Sequence, residues 1–146
     1  VNPLLICIGN PFRRDDGAGP ALAELLAGIP GLDILTLPGE GTELMEAWSG
    51  REQVMVADAM KSGAEPGEIR RFDALTEVLP RDVFPAFSHR FGLAEAVEMA
   101  KLLGRLPGSL ILYGIEALDF AQGTGLSPPI EAAVQRLAER IREDSL

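Results

Sequence analysis

A chain of 146 residues is the size at which one compact domain forms around a core, so the expectation is a single domain over residues 1–146 with no second module. With 22 acids against 13 bases and a formal charge of −9, a phosphate-backbone partner is disfavoured, because such binding is driven by Lys and Arg releasing counterions. The apolar fraction is 47%, yet no apolar run approaches the roughly 18 residues that span a bilayer, so neither nucleic-acid binding nor membrane insertion is expected.

The opening stretch is apolar but lacks a basic start and ends in Gly9-Asn10 rather than a small-residue cleavage site, so residues 4–8 read as a first strand and not a leader. Cys7 in that strand is the only cysteine. It excludes an internal disulfide and every multi-cysteine zinc or iron-sulfur pattern, fits a reducing cytoplasm, and reads as an inert core residue. A helix over 17–27 follows, closed by Gly28, then a strand over 32–37, a helix over 42–48 and a strand over 53–57. Residues 60–87 are polar and rich in Pro and Gly, which marks a surface region around a shorter strand at 68–72. A helix over 93–103 ends at Gly104 and leads to a strand over 109–115. Ser127 before Pro128 and Pro129 reads as an N-cap, and Ile130, Val134, Leu137 and Ile141 form one apolar stripe of a last helix over 128–141. This alternation predicts an α/β fold: a three-layer sandwich with a mostly parallel, twisted sheet of about five strands and helices on both faces.

In such sheets ligands bind beyond the carboxyl ends of the strands, and three polar stretches fall there. They are Gly9-Asn10-Pro11-Phe12-Arg13-Arg14-Asp15-Asp16-Gly17, the strand exit Val56-Ala57-Asp58-Ala59-Met60, and Ser88-His89-Arg90-Phe91-Gly92, which holds the only histidine. Each has an ordinary explanation when taken alone. Asp58 could cap a turn. Acids ahead of a helix are favoured by its dipole and by capping, and Asp15 is assigned that structural role. A lone loop histidine is more often a surface group. Together, two carboxylates and one imidazole at one sheet edge form an open site for a divalent transition metal, with a position left for water or substrate. Gly17 and Gly19 are read as permitting close helix–sheet approach. Trp48, Phe12, Phe84, Phe87 and Phe91 are read as core or rim packing, and Glu116 as a carboxylate at a strand end that could equally be solvated.

The string GNPFRRDDGAGP resembles the opening signature of the nickel-iron hydrogenase maturation endopeptidases, VMVADAM their second acidic motif, SHRFGL their histidine motif, and YGIEALDFAQGTGLSPPIEAAV their closing segment. The resemblance covers essentially the whole chain in the right order. It implies a phosphorylase/hydrolase-like fold and a cytoplasmic aspartyl endopeptidase that trims the C-terminal extension of the hydrogenase large subunit after nickel insertion. It also carries the metal-contacting positions onto Asp16, Asp58 and His89. Many members have Glu where this chain has Asp16. An Asp that some carry after the second strand has only Glu40 as a weak substitute here.

Nickel is then expected to arrive with the substrate, with zinc or cadmium able to stand in, and the enzyme is expected to be a monomer. Either Asp16 or Asp58 acts as general base, or the coordinated ion polarises the scissile carbonyl or activates water. Peptidyl-tRNA hydrolases also run a first strand into Gly-Asn-Pro, but the acidic balance argues against a tRNA substrate. A non-catalytic nickel-binding chaperone using the same residues is the remaining alternative.

Overall fold

A computed structural model describes residues 1–84 and 91–145. Five strands, β1 (Leu4–Ile8), β2 (Asp33–Leu37), β3 (Gln53–Met60), β4 (Ile69–Asp73) and β5 (Ser109–Glu116), form one sheet in the order β2-β1-β3-β5-β4. The first four neighbours in that order pair in parallel, and β4 closes the edge antiparallel to β5. The helices are α1 (Ala18–Leu26), α2 (Gly41–Trp48), α3 (Leu93–Leu103) and α4 (Pro128–Ser145). This is the expected three-layer α/β arrangement.

Side chains alternate along a strand, so one strand feeds two cores. In β1, Leu4, Ile6 and Ile8 join Leu44, Trp48, Val97 and Ala100 under α2 and α3. Leu5 and Cys7 join Leu22, Leu26, Ile130, Val134, Leu137 and Ile141 under α1 and α4. Both faces of the central strands are therefore covered, which is why β1 reads as an unbroken apolar run. Cys7 is fully buried, and loss of solvation pushes its thiol up to about 12.

Some boundaries differ from the sequence reading. β3 continues through Asp58 to Met60, because the backbone of residues 58–60 stays paired with residues 114–116 of β5. β4 is displaced by one residue at each end. α4 runs past Ile141 to Ser145, since Arg142 and Glu143 are good helix formers with no breaker after them. No helix among the described residues is long and apolar enough to cross a membrane.

Two connections leave adjacent parallel strands in opposite directions. From β1 the chain passes through α1 to the β2 side, whereas from β3 it passes toward β4 and β5. The crevice this opens between the carboxyl ends of β1 and β3 is the topological switch point, where doubly wound sheets bind their ligands.

Candidate functional site

The turn after β1 is built for close approach. Gly9 has φ 151°, and a Cβ there would lie 1.9 Å from the carbonyl oxygen of Asp16; a Cβ on Gly19 would lie 2.2 Å from the carbonyl oxygen of Ile8. Only glycine lets the chain fold back and seat α1 directly on β1. For Gly19 the structure thus shows the close packing read from the sequence. The fold-back turns residues 14–17 into a short 3-10 segment that points Asp16 inward.

Asp16 is 6% exposed, and the Asn10 amide donates to its Oδ2 at 2.9 Å. Burial raises its pKa above the usual carboxylate value, while the Asn10 hydrogen bond and the nearby Arg13 charge pull in the opposite direction. Asp58 is 3% exposed. By strand alternation it shares a face with Val54, Val56 and Met60, the α2/α3 side. Its pKa is raised well above the ordinary value, first by desolvation and then by the negative charge of Asp16, with the Ala59 amide favouring the anion. The switch point therefore holds two enclosed carboxylates close enough to repel one another.

Such a pair has two ways of relieving the repulsion: sharing a proton or meeting a cation. Two carboxylates are donors that suit a divalent cation accepting oxygen ligands. The expected third ligand, His89, lies outside the described residues, as does Phe87. Among the described residues, no group of three or more His, Cys, Asp and Glu side chains gathers at one point.

Asp15 is structural, as read from the sequence, but the reason is different. It caps no helix: α1 has Gly17 at its N-cap and no side-chain cap bond. Instead, its carboxylate is completely buried and bonded to residues of the segment between β5 and α4. Glu116 is not solvated. It is 1% exposed and accepts hydrogen bonds from the Ser62 amide at 3.0 Å and the Ser62 hydroxyl at 2.6 Å. Glu40 is the N-cap of α2, accepting from the amides of Thr42 and Glu43. Trp48 and Phe84 are core residues, Phe91 is partly buried, and Phe12 stands 68% exposed on the loop that carries Asp16.

The family model for HycI, described as hydrogenase maturation protease, matches residues 31–144. The chain belongs to the hydrogenase maturation protease family. Hydrogenase 3 maturation protease of Escherichia coli K12 is 29% identical over 97% of this chain and 89% of its own length. The hydrogenase expression/formation protein HupD of Bradyrhizobium diazoefficiens is 30% identical over 93% of this chain and 78% of its own. Among solved structures, the [NiFe] hydrogenase maturation protease HybD from Thermococcus kodakarensis superposes over the full length of both chains with a TM-score of 0.78 at 26% identity. Membership of this family decides between protease and peptidyl-tRNA hydrolase, which the Gly-Asn-Pro turn alone left open.

Proposed function

We propose that this protein is the endopeptidase that removes the C-terminal extension of a nickel-iron hydrogenase large subunit once nickel has been inserted. In this reading the metal belongs to the substrate. Nickel held by the precursor's own cysteines offers an open coordination position to Asp16, Asp58 and His89, so cleavage waits for metal loading. The observation that carries this reading is the pair of enclosed carboxylates at the switch point, one raising the pKa of the other. A cation brought by the substrate offsets that repulsion and favours the ionised form of both carboxylates.

Support for a third ligand comes from the segments on either side of residues 85–90. The Lys61 amide, just past β3, donates to the Val83 carbonyl at 2.7 Å, and the Gly41 amide at the start of α2 donates to the Phe91 carbonyl at 2.7 Å. Both anchors stand at the carboxyl edge of the sheet, and Phe91 lies two residues before α3, which covers the face toward which Asp58 is turned. His89 is assigned to the site on that basis together with the SHRFGL motif.

With the substrate engaged, one carboxylate is free to take the proton of an attacking water. We assign that task to Asp16, the more exposed of the two, whose Oδ2 is already occupied by the Asn10 amide. Asp58, the more deeply buried, serves as the metal contact. Incubation of the purified protein with nickel-loaded and nickel-free precursor, followed by intact-mass measurement, tests the reading. Loss of the extension only from the loaded form is expected, and equal trimming of both would end the recognition mechanism. Trimming of neither, with nickel still bound, would favour the chaperone reading.

A further inference from the structure

A fully buried acid that this chemistry does not use stands next to Asp16. The carboxylate of Asp15 accepts hydrogen bonds from the amides of Leu118 at 2.9 Å, Asp119 at 2.8 Å and Ser127 at 2.7 Å, and from the Ser127 hydroxyl at 2.9 Å. All these donors come from the loop of residues 117–127 after β5. The same loop is zipped to the Asp16 turn by backbone bonds: the Arg14 amide donates to the Gly123 carbonyl, the Gly123 amide to the Phe12 carbonyl, and the Asp15 amide to the Asp119 carbonyl. On its other flank the loop is tied to the exit of β3. The Ala117 amide donates to the Met60 carbonyl at 2.9 Å, and the Lys61 Nζ donates to the carbonyls of Ala117 and Leu118 at 3.3 and 3.1 Å. One loop thus joins the two strand exits that deliver Asp16 and Asp58.

We propose that Asp15 is a positioning residue: by locking the turn of residues 10–17 onto the 117–127 loop, it fixes where the Asp16 carboxylate stands relative to Asp58. The proposal rests on the reading of Asp16 and Asp58 as the working pair. Its chemistry is specific, because every hydrogen bond at the Asp15 carboxylate is an accepted one, shared over both oxygens. An asparagine of the same shape turns an N–H toward those donors, so the clamp loosens without a change in volume. The turn carries Asp16 as the very next residue, so it cannot shift without moving that carboxylate.

The test uses Asp15→Asn and a reporter that needs no substrate, the hydrogen exchange of the Asn10 amide, which donates to Asp16. In the folded variant, Asn10 exchanges at least about tenfold faster, and kcat for the nickel-loaded precursor falls at least about tenfold with KM within about twofold, in line with the cost of misplacing a reacting group. The amides of Val54 and Val56 in β3 exchange as in the wild type. Ser127→Ala, which removes one donor, gives a smaller change in the same direction. Unchanged exchange at Asn10 overturns the proposal, as does equal acceleration at Asn10 and in β3, which marks general loss of stability. Should Asp15→Asn fail to fold, Ser127→Ala decides by the same readouts. Failure of the wild type to trim any precursor would sink the functional reading and leave the exchange result standing.

Discussion

An aspartate that the fold encloses beside a second aspartate costs free energy whenever both are charged. For Asp58 this has a definite sign in pH. Between the ordinary carboxylate value of 3.8 and its raised value in the fold, the native protein holds a proton that the unfolded chain has released. Its contribution to stability is therefore complete below the ordinary value and is lost as pH rises through the raised one. Asp58→Asn should make the metal-free protein more stable than wild type at neutral pH, with each tenfold change in proton affinity worth about 1.4 kcal/mol. The advantage should vanish in acid. Urea midpoints measured across that range check it, and a variant less stable than wild type at neutral pH would refute the assignment of strain to this carboxylate. Asp16→Asn separates function from stability. It keeps an acceptor for the Asn10 amide but cannot take a proton, so kcat for the precursor should fall about 10²–10⁴-fold while the thermal midpoint holds or rises.

At the scale of elements, the turn after β1 shows what the sequence could and could not reveal. Its Gly-rich acidic string was readable as a strand running into a helix, because the apolar period changes there and glycines punctuate the change. That Asp15 braces the turn was legible only in part. The partners of Asp15 lie more than a hundred residues away, and no local rule couples positions 15 and 127. Glu116 and Ser62, separated by 54 residues, were hidden for the same reason. Glu40 was obscured differently: glutamate is not among the favoured N-caps, so its capping bonds to Thr42 and Glu43 carried no compositional signal. Asp58 reads locally as a strand terminator, yet its backbone remains in the ladder with β5, so β3 runs on past it.

The same turn yields a prediction about packing. A methyl group on Gly19 meets the carbonyl of Ile8 at 2.2 Å, and backbone on a central strand cannot retreat as a side-chain tip would. Gly19→Ala should cost about 1–3 kcal/mol in urea unfolding, the usual penalty of overpacking, and should also displace Asp16 by lifting the start of α1. A neutral substitution would mean that α1 is not seated as closely as the structure has it.

For the whole molecule, the question is whether the two cores, on opposite faces of one sheet, stand or fall together. The chain supplies one probe for each: Trp48, its only tryptophan, lies in the α2/α3 core, and Cys7, its only cysteine, in the α1/α4 core. Burial raises the Cys7 thiol to about 12 and closes it to reagents, so labelling near pH 8 proceeds only through opened molecules, where the thiol returns to about 8.5. Leu4, Ile6 and Ile8 alternate with Leu5 and Cys7 along β1, so neither core can be dismantled without removing a strand that the other needs. The opening free energy from thiol labelling should therefore match the unfolding free energy from Trp48 fluorescence, within the roughly 10–15% uncertainty of denaturant extrapolation. A labelling value several kcal/mol lower would show that α1 and α4 detach while the α2/α3 side holds. Because α1 begins at the turn that presents Asp16, such detachment would disassemble the acidic pair before the molecule unfolds, and activity would be lost at the lower of the two free energies.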